Sequence, residues 1–193
     1  MPEYKETDCL VLKKHKYTET SAIIEAFSKD GGKASFLAKG IYRKNVSFES
    51  PMESLSINTI EYFYKPEREI HTLTKSKLVF YPENIVKSVK KYETAGKVLR
   101  ILRKSSYIVH TSSEIFDASY LFLREVNVAE YCSFPYFRFL LKYSKIEGIY
   151  SKRMFDGKYS YLFEKLKNNE AVENEDTEKL INYIEKKIKE HME

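Results

Sequence analysis

The sequence predicts an α+β protein: a small five-stranded barrel at the N-terminus, followed by an all-helical C-terminal domain. Two observations carry this. Over the first 80 residues the apolar positions are β-branched and aromatic and lie in short runs between turn residues, whereas from Ile85 onward they recur at helical spacing. A third observation, the segment "YPEN" at Tyr81 to Asn84, sets the change of character between residues 1–82 and 83–193.

The strands follow in order. Thr7 to Tyr17 is a Val/Leu-bearing run and Ser21 to Ser28 is a second; "KDGG", Lys29 to Gly32, is a hairpin turn whose glycines supply positive φ, and Lys33 to Lys39 answers it. In "LSINTIEYFY", Leu55, Ile57 and Phe63 alternate with Ser56, Asn58 and Tyr62, with Ile60 off the pattern. A turn around Pro66 then leads into Ile70 to Tyr81. The rhythm is that of a small antiparallel sheet, and five strands in so few residues predict closure, which removes exposed edges.

The helices follow. Ile85, Val89, Tyr92, Gly96 and Leu99 fall on one face at about 100° per residue, with Leu102 near its edge and Asn84 as N-cap. Thr111 and Glu114 have capping-box spacing ahead of Ile115, Tyr120, Phe122 and Leu123. A third helix runs from about Pro135 to a stop at Gly148. Leu180, Ile184 and Ile188, spaced by four, mark a closing helix. Between the last two lies a basic, Gly-containing loop or hairpin near residues 150–160.

Composition and motif spacing narrow the function. No apolar stretch reaches the roughly 18 to 20 residues that span a bilayer, and "MPEYKETD" has no signal-peptide character, so no membrane partner is expected and the cytoplasm is the expected compartment. Cys9 and Cys132 stand far apart, with no second Cys or His at ligand spacing, which argues for reduced thiols and no metal. "DGGK", Asp30 to Lys33, lacks the spacing of a phosphate loop, so no nucleotide cofactor is implied. The four histidines lie in four different predicted elements, and no catalytic residue is assigned. No small-molecule substrate is indicated.

Charge is more informative. Lys and Arg number 13 against 12 Asp and Glu in residues 1–85, 14 against 7 in 86–160, and 6 against 9 in 161–193, so the positive charge is concentrated in the middle and favours a polyanionic partner. In the helix from Ile85, Lys90, Lys97 and Lys104 are seven apart and nearly in line, flanked by Lys87, Lys91 and Arg100. A row of this kind matches the phosphates of a nucleic-acid backbone as well as it matches a solvated face. Val98 and Ile101 on that side hint at partial cover. In "SFLAKGIYRKNVS" charge, ring and glycine coincide: Tyr42 is placed to stack on a base, and Lys39, Arg43 and Lys44 to contact phosphates.

The order of these parts resembles the RecO family of bacterial DNA-repair recombination mediators. The matching features are Tyr17 and Glu19 before a strand, the turn at Gly32 and Lys33, Ala38 to Gly40 with Arg43 and Lys44 after it, and Leu73 with Thr74 near the last strand. Further on, "FRFLLKYSKIEGI" looks like the family's helix with a Phe-x-x-x-Leu-Leu core. The resemblance implies an N-terminal OB-fold barrel and binding of single- and double-stranded DNA. It also implies ATP-independent strand annealing, and recombinase loading with RecR and the single-stranded-DNA-binding protein, in the cytoplasm at the nucleoid. Many members of the family carry four cysteines that bind structural zinc; "IYSKRMFDGKYSYLF" has none, which implies a degenerate, zinc-free hairpin.

The expected DNA-binding residues are therefore Lys39, Tyr42, Arg43 and Lys44 in the barrel and Lys90, Lys97 and Arg100 in the first helix. Two other functions remain open. One is an OB-fold module for RNA or tRNA. The other is a metal-dependent nuclease built on Glu61, Glu67 and Glu69.

Overall fold

The computed structural model describes residues 3–43, 48–104, 112–150 and 174–192. Five strands, β1 (Glu3–Lys16), β2 (Ala22–Ser28), β3 (Gly32–Ala38), β4 (Ile57–Tyr64) and β5 (Ile70–Phe80), form a closed barrel in the order β1-β2-β3-β5-β4. The long first strand makes closure possible, because its second half pairs with β2 and its first half with β4, so that Leu10 stands opposite both Phe27 and Ile57. One pairing departs from the antiparallel sheet expected from the strand rhythm. β3 and β5 run parallel, with Ser35 opposite Ile70, because β4 lies between β5 and β1 and reverses the chain before β5 joins β3.

The β2–β3 hairpin turns where the glycines predict it. Gly32 has φ +68°, and Ser28 Oγ accepts from the Gly31 N–H at 3.2 Å and donates to the Gly32 carbonyl at 3.0 Å. Alternation then sorts side chains to two sides. Cys9, Val11, Ile24, Phe36, Ala38, Ile60 and Leu73 fill the barrel interior, while Leu10, Leu12, Phe27, Leu55 and Ile57 face outward into a core shared with the helices. Ile60 is off the sequence pattern for this reason: β4 buries residues on both sides, Ile57 against the helices and Ile60 inside the barrel. Cys9 and Cys132 are both buried free thiols, and burial pushes the Cys9 thiol far up.

Five helices follow among the described residues: α1 (Glu83–Val86), α2 (Val89–Lys104), α3 (Ser112–Val128), α4 (Ser133–Ile146) and α5 (Asn174–Met192). The expected single helix from Ile85 is broken at Lys87 and Ser88, and the break changes the buried face. Ala95, Val98 and Leu102 are buried, whereas Val89 is 77% and Tyr92 50% exposed. The apolar stripe read from sequence assumed one unbroken phase from Ile85; Ile85 belongs to α1, so its phase does not carry into α2. Val98 and Ile101, which sequence placed on the basic side, pack into the core. The cap also differs. Asn84 lies inside α1, and Asn127 of α3 caps that turn, its Oδ1 accepting from the N–H groups of Asn84 at 3.0 Å and Ile85 at 3.4 Å.

The remaining helices agree with their sequence periods. α4 ends at Ile146, two residues before Gly148, which has φ +70°, and α5 buries Leu180, Ile184 and Ile188. The hairpin expected near 150–160 lies outside the described residues apart from Tyr150. No helix among the described residues is long and apolar enough to cross a membrane.

Candidate nucleic-acid interface

The loop that leaves β3 is knit to the loop between β1 and β2. Gly40 takes φ +77°, a region that side chains with a Cβ disfavour, and its N–H reaches Ser21 Oγ at 3.5 Å. The Tyr42 N–H donates to the Thr20 carbonyl at 3.2 Å, and the Arg43 N–H closes a turn on the Gly40 carbonyl at 2.9 Å. A Cβ placed there would stand 3.4 Å from Arg43 Cδ, an ordinary contact, so it is the backbone conformation rather than space that favours glycine. Ile41 turns inward and packs on the barrel interior, so that Tyr42 and Arg43 are left exposed.

Tyr42 is 43% exposed, and the Lys14 ammonium sits over its ring at 5.1 Å. Lys14 is itself fixed, donating to the Pro51 carbonyl at 2.8 Å and to Glu53 Oε1 at 2.7 Å. Lys39 and Arg43 are exposed and make no ion pair among the described residues. Lys44 lies outside the described residues.

Strand alternation links this loop to the helices. Ala34, Phe36 and Ala38 point into the barrel, which puts Lys33, Ser35 and Leu37 on the outer side, with Lys39 next in line just past the strand. At about 3.3 Å per residue, Lys33 and Lys39 are roughly 20 Å apart. At the Lys33 end this outer side meets the C-terminal turn of α2, and a groove of about 560 Å³ opens between them. Lys33, Arg100, Arg103 and Lys104 line it, together with the carboxylates of Glu25 and Glu69. Lys33 Nζ donates to the Arg103 carbonyl at 3.1 Å, placing a cation at the negative end of the helix. Arg103 Nε meets Glu25 Oε2 at 3.0 Å, and His15 Nε2 meets Glu25 Oε1 at 2.6 Å. Burial pushes the Glu25 carboxyl up, but the hydrogen bonds and charges of His15 and Arg103 outweigh it and hold the group below its usual range.

The sequence row along α2 does not act as one surface. Arg100 joins the groove, but Lys90 lies ten residues earlier, about 15 Å along the helix. Lys97 faces α5 instead, with Nζ 3.1 Å from Glu185 Oε1 and 5.3 Å from the Tyr136 ring. Tyr136 is raised by burial and by the same Glu185, so Glu185 is the shared acceptor of a packing contact between helices. The acidic trio is also dispersed in role. Glu61 is bound by Lys75 at 2.9 Å and Thr74 at 3.0 Å, Glu69 lines the groove, and no group of three or more potential metal ligands occurs among the described residues.

Sequence reasoning missed Lys14, Lys33 and Arg103 as members of this interface. Lys33 was legible, since it shares strand parity with Lys39. Arg103 and Lys14 become neighbours of the site only through closure and helix packing.

The first 82 residues match the family model described as "Recombination protein O N terminal". This stretch is similar to the N-terminal domain of RecO proteins. The chain is 33% identical over 70 residues to a DNA repair protein RecO of Salinibacter ruber, covering 36% of this chain and 27% of that one. It is 39% identical over 69 residues to the Rhodopirellula baltica protein of the same name, covering 36% and 26%. A longer match, 25% identical over 126 residues, reaches 65% of this chain and 48% of the Shouchella clausii RecO. These matches span from about a quarter to about half the length of those relatives. The matched region contains the whole barrel, with Lys33, Lys39, Tyr42 and Arg43, while the α2 side of the groove lies beyond residue 82.

Proposed function

We propose that this protein is a DNA-binding recombination mediator in DNA repair. It binds single- and double-stranded DNA, anneals complementary strands without ATP, and acts with RecR and a single-stranded-DNA-binding protein to load recombinase. It makes and breaks no covalent bonds and uses no cofactor, and it works in the cytoplasm at the nucleoid. The names of its relatives support the repair setting. The observation that carries the DNA-binding reading is the basic row from Arg100 and Lys104 across Lys33 to Lys39 and Arg43, on a barrel of the order used by OB folds to bind oligonucleotides.

The mechanism is electrostatic. Two strands repel each other through their phosphates, and a cationic track lowers that repulsion while leaving base edges accessible for pairing. Lys39 and Arg43 are exposed and make no ion pair among the described residues, so no pair with a described carboxylate has to break before a phosphate is bound.

The test is strand annealing with neither nucleotide nor divalent metal present. Lys39→Glu combined with Arg43→Glu should slow annealing about tenfold or more and reduce the steepness of the salt dependence of binding. Unchanged annealing by the variant would remove this site, and no annealing by the unaltered protein would remove the function. Competition with RNA of the same sequence separates a DNA mediator from an RNA module.

A further inference from the structure

Away from the Gly40 loop, where β1 begins and β4 ends, five rings gather on one rim. Register places Tyr4 opposite Phe63 and Lys5 opposite Tyr62, so alternation sends one set inward and the other outward. On the inner side, Tyr62 lies against the buried Phe36 at 5.0 Å between ring centres, and His71 lies 5.7 Å from Tyr62 and 4.9 Å from Tyr64. Lys5 Nζ sits 3.9 Å over the Tyr64 ring. On the outer side, Tyr4 meets Phe63 edge-on at 5.4 Å, and Lys65 Nζ stands 5.7 Å over Phe63. Tyr4 is 65% exposed.

A plug that served only to close the barrel would be apolar throughout. This one buries His71 Nδ1 with no hydrogen-bond partner among the described residues, a cost that a Phe or Leu would avoid. Burial and the nearby Lys5 lower the affinity of His71 for a proton, which favours a neutral ring. The carboxylates on this rim are partly committed: Glu3 lies 3.8 Å from Lys5, and Glu61 is bound by Lys75. Rings that stack on any base, each side accompanied by an ammonium for phosphate, are the chemistry of single-strand binding.

We propose that this rim is a base-stacking site for single-stranded DNA, separate from the Gly40 loop, with Tyr64 and His71 taking a base and Lys5 and Lys65 its phosphates. The inference rests on the DNA-binding reading above. A single-stranded oligonucleotide carrying 5-iodouracil, irradiated on the full chain, should crosslink to peptides containing Tyr62 to Tyr64 or His71. Tyr64→Leu with His71→Leu should weaken binding about tenfold. Circular dichroism melting shows whether the Leu variant folds; if it does not, the crosslink map on the unaltered protein decides. Crosslinks confined to the Lys39–Arg43 loop, with affinity unchanged in the Leu variant, would overturn the rim while leaving DNA binding intact. No binding by the unaltered protein would overturn both.

Discussion

In the Gly40 loop Lys39 and Arg43 stand apart from the described carboxylates, whereas where the barrel meets the helices cations stand beside them. Lys39 and Arg43 are exposed and make no ion pair among the described residues. Along the seam, Arg103 lies 3.0 Å from Glu25 and Lys29 lies 3.0 Å from Asp117, and between the helices Lys97 lies 3.1 Å from Glu185. The same residue types therefore do two jobs. At the seam they join elements that are far apart in sequence, and each such pair contributes little because it is half in water. In the loop the charge remains available to an external anion. A net charge of +5 says nothing of this division.

The strongest way to break the comparison is through the seam core. Leu102 is fully buried among barrel and helical residues, so Leu102→Ala should cost about 2–5 kcal/mol in urea denaturation. One shared transition moving as a whole supports a seam that unites the two parts. Two transitions, with only the later one shifted, would mean that the barrel stands alone.

A smaller effect is expected in the loop. Gly40→Ala forces a residue with a Cβ into φ +77°, costing about 1 kcal/mol and straining the turn that carries Tyr42 and Arg43. DNA affinity should fall with it. Full affinity in this variant would show that the loop cations need no fixed backbone.

The smallest effect belongs to Glu25. Its folded pKa lies below the ordinary 4.5, so its contribution is complete above that value and is lost as pH falls through the lower folded one. Glu25→Gln should therefore cost less than about 1 kcal/mol at pH 7, and the two proteins should converge in stability under acid. Divergence that grows toward low pH would reverse the sign and remove the ion-pair account.

Much of the barrel was legible because its signals are local. Gly32 and Gly40 both adopt positive φ, and the five runs of β-branched and aromatic residues all became strands. Lys39, Tyr42 and Arg43 were legible for the same reason, as each follows directly from the strand end and its glycine. What failed was the assignment of faces. Ile57 and Ile60 are both buried on opposite sides of one strand, and Val98 is buried on a face that period alone gave to solvent. An apolar residue in sequence shows that burial is favourable, but not against which neighbour.

The sequence by itself determined the order of strands and helices, the turns, and the exposed basic loop, since these depend on backbone preferences within a few residues. Only the tertiary structure decided that β3 pairs in parallel with β5, that Asn127 caps α1, and that Arg100 faces the groove while Lys97 is bound by Glu185. Those outcomes depend on which surfaces meet once apolar area leaves water, and that is settled by groups distant in the chain.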